Sequence, residues 1–171
     1  RHDTWNHASL FVEWIRFQDE TIISYIREQA EAIRPYTDAP IGTDMMVPLE
    51  LSHEKMNADL DVVQINHYER AEQLADTAFL YDHLRPLKER PFWCTETQAG
   101  WNGSFFAANG PRPQGNCYVN TWLPIAKGGE MNEYWLWRAH PSGHELAHGA
   151  VLSTAGRPYE VAGEIRRAAD D

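Results

Sequence analysis

Four short apolar runs, at 41–46, 61–68, 91–96 and 131–137, are separated by stretches patterned as helices, and this alternation constrains the fold more than any other feature. A parallel strand pair needs a crossover of a dozen or more residues, so strands joined through helices are expected to lie parallel. The expectation is an α/β fold on a parallel sheet. The first helix is read at 9–33, where Phe11, Ile15, Ile22, Ile26 and Ile33 recur at multiples of three and four, with Glu13, Arg16, Asp19, Arg27 and Glu31 on the other side. It stops before Pro35, because the residue preceding a proline avoids helical backbone. Further helices are read at 49–56, 70–84, 117–126 and 160–169, with Pro86 closing the second of these. The Gly-, Asn- and Pro-rich stretch 100–115 is too long for a simple connector and marks a functional loop. With no repeat and no internal linker, residues 1–171 read as a single segment.

Charge and composition exclude several functions. With 15 basic against 25 acidic side chains and a formal charge of −10, the chain lacks the clustered cations that a phosphate backbone requires, so no nucleic-acid partner is expected. No apolar stretch approaches the roughly 20 residues that a bilayer core demands, so no membrane partner is expected. Cys94 and Cys117 have no CxxC spacing and read as reduced, buried thiols. Seven Trp fit an aromatic sugar-binding cleft as well as a core.

In parallel α/β folds the reactive groups gather at the carboxyl ends of strands. Those ends deliver Thr43 and Asp44, then Asn66, His67 and Tyr68, then Glu96, and last Trp137 and Arg138. Glu96 stands out as a carboxylate ending an otherwise apolar strand. Simple alternation places it on the side of Phe92 and Cys94, where an unpaired charge is expensive unless it is used. A second motif competes: His144-Glu145-Leu146-Ala147-His148 matches HExxH, in which two His one helical turn apart bind zinc and the Glu activates water. That chemistry needs a helix of several turns, yet Pro141-Ser142-Gly143 precedes the motif and Gly149, Gly156 and Pro158 follow it. A third ligand would be Glu160 or Glu164. The zinc metalloprotease is kept as the alternative function.

Four segments carry a resemblance. They are Ala39-Pro40-Ile41-Gly42-Thr43-Asp44-Met45-Met46, then Leu60-Asp61-Val62-Val63-Gln64-Ile65-Asn66-His67-Tyr68, then Pro91-Phe92-Trp93-Cys94-Thr95-Glu96-Thr97-Gln98-Ala99-Gly100-Trp101-Asn102, and Tyr134-Trp135-Leu136-Trp137-Arg138 with Gly143, Glu145, His148, Gly149 and Leu152 following. In this order they resemble strands five to eight of glycoside hydrolase family 42, the β-galactosidases. The resemblance implies a partial TIM (β/α)8 barrel made of strands five to eight with their helices. It implies retaining hydrolysis of terminal β-D-galactosides, with Glu96 as nucleophile and the acid/base Glu on strand four, outside these residues. It further implies substrate contacts from Asn66, Tyr68, Trp101, Trp135, Glu145 and His148, with Tyr68 hydrogen-bonding the nucleophile. No cofactor and no metal are implied, and the parent enzyme is implied to be a cytoplasmic homotrimer.

Asn132-Glu133 imitates the pair that announces an acid/base, but it follows Glu96 in the chain and opens its strand, so it is read as structural. The segment alone is expected to lack turnover, because its acid/base is missing. A non-catalytic carbohydrate-binding remnant is the remaining alternative.

Overall fold

The computed structural model describes residues 7–46, 51–68, 71–100, 112–146 and 148–171. In chain order these form α1 (Ala8–Ile33), β1 (Asp44–Met46), α2 (His53–Asn57), β2 (Gln64–His67), α3 (Leu74–Leu84), β3 (Trp93–Gln98), α4 (Asn116–Ala126), β4 (Met131–Trp135) and α5 (Val161–Asp170). Short 3-10 turns at Arg34–Tyr36 and Arg85–Leu87 take up the prolines that end α1 and α3. The four strands lie side by side in the order β1-β2-β3-β4, and every pair is parallel, as the alternation requires. No helix among the described residues is long and apolar enough to cross a membrane.

One face of the sheet is dry. Met45 from β1, Val63 and Ile65 from the second strand run, and Phe92 and Cys94 from the third pack against Met56 of α2 and Tyr81 and Leu84 of α3. Ile23 and Ile26 of α1 and Leu123 of α4 close over this cluster. Ile65, Tyr81, Leu84 and Cys94 have no exposed surface, and each buried aliphatic or aromatic side chain contributes about 1.5–3 kcal/mol relative to exposure. The opposite face is open, as shown by Met46, whose exposure is 59% against 2% for its neighbour Met45.

Several element bounds differ from the sequence reading. The first strand is three residues long, because Ile41 is drawn off into a reciprocal pair with Asp61: the Ile41 amide donates to Asp61 Oδ2 at 2.8 Å, and the Asp61 amide donates to the Ile41 carbonyl at 2.8 Å. The second helix starts at His53, where Ser52 Oγ accepts from the Lys55 amide, and positions 49–50 of the expected span lie outside the described residues. The third strand runs two residues past Glu96, to Gln98. The expected apolar stripe of α1 is used only in part: Ile23 and Ile26 join the core, while Phe11, Ile22 and Ile33 are exposed.

The start of α4 is held from a distant element. Gly115 precedes the helix with φ of 89°, a left-handed conformation that suits glycine. Its amide and the Tyr118 amide donate to the two carboxylate oxygens of Glu164 on α5, at 2.8 and 3.4 Å. A buried carboxylate therefore occupies the positive end of the α4 dipole and satisfies two amides there. Glu164→Ala should lower the unfolding free energy by about 1–2 kcal/mol, the usual loss at such a cap, and Glu164→Gln should lose less. Urea unfolding followed by circular dichroism measures both, and an Ala variant as stable as the wild type would mean that water replaces the carboxylate.

Candidate active site

The position of Glu96 is set by an irregularity in β3. Along β2 the register runs Ile65 to Cys94, then Asn66 to Glu96, then His67 to Thr97, so Thr95 is an extra residue. Along β4 the partners are Cys94 to Asn132 and Thr97 to Tyr134, which again leaves one residue too many. This bulge, uncommon in a parallel pair, breaks the two-residue alternation. Glu96 therefore does not share the side of Phe92 and Cys94 expected from the sequence. Those two side chains enter the helix-facing core, whereas Glu96 stands beside its register partner Asn66 on the open face.

There Tyr68, one residue past β2, donates its hydroxyl to Glu96 Oε1 at 2.5 Å. The phenol is held firmly in its protonated form, first by burial and then by the Glu96 carboxylate that accepts from it. The Tyr68 ring meets the His148 ring edge-on, with centroids 5.6 Å apart. Asn66 is buried and donates through Nδ2 to Asp44 Oδ2 at 3.4 Å, and its Oδ1 has no hydrogen-bond partner among the described residues. Asp44 Oδ1 in turn accepts from Thr95 Oγ1 at 2.7 Å.

Arg112 was not singled out by sequence, because it lies within the long loop and carries no motif. Its Nη2 donates to the Tyr68 carbonyl at 3.1 Å and to Gln98 Oε1 at 2.7 Å, tying the ends of the second and third strands on either side of the Tyr68–Glu96 pair. Gln98 pairs in register with Trp135, which brings the half-buried Trp135 to the rim. His140 bridges the remaining members, with its ring 5.9 Å from that of Trp135 and Nε2 3.6 Å from Glu145 Oε2. Among the sequence candidates, Glu96, Tyr68, Asn66 and His148 are thus gathered at one end of the sheet, with Trp135 and Glu145 linked through His140. Trp101 lies outside the described residues.

Two candidates belong elsewhere. His67 does not reach the open face: it is buried on the helix side, where Tyr81 Oη is 2.8 Å from Nδ1 and Thr77 Oγ1 is 3.2 Å from Nε2. The HExxH helix is not formed. Residues 141–146 make bends and turns, His144 is exposed, and His148 is buried against Tyr68, so the two imidazoles share no helical face. Among the described residues no three His, Cys, Asp or Glu side chains are close enough together to hold a metal ion. This geometry removes the structural basis of the metalloprotease alternative.

Burial pushes the His67 pKa down from 6.5 to about 4, and the charge of Arg112 adds to the shift. A base with a depressed folded pKa is protonated first in the unfolded chain. Its stabilising contribution is complete above pH 6.5 and is lost as the pH falls from 6.5 toward 4. The loss from this single group is at most about 3 kcal/mol at pH 4. The difference in unfolding free energy between wild type and His67→Gln, followed by urea titration across that window, should shrink as the pH falls. A constant difference would show that His67 keeps its ordinary pKa.

Comparison with known proteins places this geometry among relatives. A sequence model of glycoside hydrolase family 42, described as beta-galactosidase, matches residues 1–170. The beta-galactosidase YesZ of Bacillus subtilis is 36% identical over 154 residues, covering 90% of this chain and 23% of YesZ. The YesZ of Bacillus licheniformis is 36% identical over 169 residues, covering 95% and 25% respectively. The structure of a beta-galactosidase from the haloarchaeon Halorubrum lacusprofundi superposes with a TM-score of 0.83 at 20% identity, over 91% of this chain and 26% of that one. The chain thus spans about a quarter of the length of these proteins.

Proposed function

Since the chain belongs to glycoside hydrolase family 42, the β-galactosidases, we propose that it supplies strands five to eight of a retaining β-galactosidase barrel and carries the nucleophile, Glu96. Strands β1 to β4 correspond in this reading to strands five to eight, and the open face of the sheet is the inner wall of the barrel. The observation that carries it is the Tyr68–Glu96 pair: a carboxylate turned out of the core by a bulge, at the carboxyl end of the sheet, and held by a phenol. Barrel enzymes assemble their chemistry at this end of their strands.

The chemistry follows from the donor set. With Oε1 engaged by Tyr68, Glu96 is oriented and keeps Oε2 for attack on the anomeric carbon. The bond from that carbon to the leaving oxygen breaks as a carboxylic acid about 5 to 5.5 Å from Glu96 protonates it, which is the separation of a retaining pair. That acid belongs to strand four in this reading. Water, deprotonated by the same group, then cleaves the glycosyl ester and restores Glu96. The Glu145 carboxylate offers an acceptor, and His148 an imidazole, to sugar hydroxyls, while Trp135 forms a wall against the apolar face of the ring; Asn66 is assigned a sugar contact on the family resemblance. Trp101 is assigned to the same wall on the family resemblance.

In the enzyme carrying all eight strands, Glu96→Ala should lower turnover of an aryl β-galactoside at least about 10³-fold, because no covalent intermediate can form. Azide should restore part of the rate. Entering the space left by the carboxylate, it attacks from the same side, and the product should be α-galactosyl azide. Recovery of the β-azide would overturn the assignment, since it would make Glu96 the acid/base.

A further inference from the structure

The bulge that turns Glu96 onto the open face needs something to fix its place. Neither ladder does so at Thr95 itself: β2 passes from the Cys94 partner to the Glu96 partner, and β4 from the Cys94 partner to the Thr97 partner. A slip of the extra residue by one position would carry Glu96 to the helix side, because facing alternates at every residue of a strand. What holds Thr95 in this structure is its side chain. Its hydroxyl donates to Asp44 Oδ1 at 2.7 Å, and Asp44 lies on β1, two strands away. Neighbouring strands are spaced about 4.8 Å apart, so the bond reaches over β2 and requires both side chains to rise from the same face.

Asp44 has a second contact on that face, from Asn66 Nδ2 at 3.4 Å, on the strand that it crosses. A carboxylate suits this position because both of its oxygens accept, one from a hydroxyl and one from an amide. Asp44 thus pins the bulge residue on β3 and orients Asn66 on β2, the two residues that adjoin Glu96 along and across the strands.

We propose that Asp44 is a positioning residue for the Glu96 nucleophile and acts through the hydroxyl of Thr95. The inference rests on the reading of Glu96 given above, and its test separates the two. In the enzyme carrying all eight strands, wild type, Thr95→Val, Thr95→Ser and Asp44→Ala are treated with 2,4-dinitrophenyl 2-deoxy-2-fluoro-β-galactoside, and covalent labelling is followed by intact mass and peptide mapping. Thr95→Val keeps the shape and strand preference of threonine but removes the hydroxyl. Thr95→Ser keeps the hydroxyl.

The expected result is labelling about 10 to 100-fold slower in Thr95→Val, with saturation by the reagent unchanged, and within about threefold of wild type in Thr95→Ser, because small misplacements of an attacking group cost rates of that size. Asp44→Ala should be slowed as Thr95→Val is, and the double variant no further, since each change removes one end of the same hydrogen bond. A purely structural Thr95 would give the opposite ranking, with Val tolerated better than Ser, and that ranking would overturn the proposal. Wild-type labelling rates in both Thr95→Val and Asp44→Ala would do the same. If the wild type labels at a residue other than Glu96, the nucleophile assignment itself fails, and the positioning role falls with it. Should Thr95→Val melt early, Asp44→Ala, which leaves β3 unaltered, decides between these outcomes.

Discussion

Between Cys94 and Glu96 the third strand carries one residue more than either neighbour opposes, and the chemistry of the sheet follows from that surplus. Without it, alternation would send Glu96 into the layer of Met45, Ile65, Tyr81 and Cys94, where a carboxylate would have to be desolvated among apolar groups. With it, the strand can be apolar up to Cys94, to anchor the helices, and still present a carboxylate on the open face at Glu96. The irregularity costs ladder pairing at Thr95, and the Asp44 contact supplies a substitute on the same face.

The second strand divides its polar residues in a comparable way. His67 and Tyr68 are adjacent, yet one is saturated by Thr77 and Tyr81 inside the helix layer and the other holds Glu96 outside it. A neutral imidazole with both nitrogens engaged is an inexpensive buried polar group, so His67 stiffens the wall behind the site without adding charge to it. Arg112 then joins the carbonyl of Tyr68 to the side chain of Gln98, so the strand ends on both sides of the carboxylate share one cation. The surroundings of Glu96 are thus held by three connections: the Tyr68 hydroxyl, the contacts of His67 with α3, and the Arg112 bridge.

Much of this was legible in the sequence. Apolar spacing located the strands and helices because burial against one layer imposes a period, and Pro35 and Pro86 marked where helices end because proline cannot continue them. The resemblance of four segments placed Glu96 and Tyr68 together before any geometry was known. Other features have no periodic signature. A bulge is invisible in a run such as Phe92-Trp93-Cys94-Thr95-Glu96-Thr97, since each residue type there suits either face, and the side assigned to Glu96 was wrong for that reason. His67 was grouped with the residues delivered at strand ends because its partners come from α3, which sequence spacing does not place opposite it. The HExxH match shows the reverse error, a local string whose flanking Pro141 and Gly143 deny it the helix on which its meaning depends.

The grip of Glu164 on the first turn of α4 joins residues 49 positions apart, across β4 and the segment that follows it. At synthesis speeds of roughly 5–20 residues per second, several seconds pass on the ribosome between the emergence of those amides and of the carboxylate that receives them. During that interval α4 has to begin without the carboxylate at its positive end. The order in which the chain is made therefore differs from the order in which it can be completed, and the last helix acts as the latch that sets the earlier one.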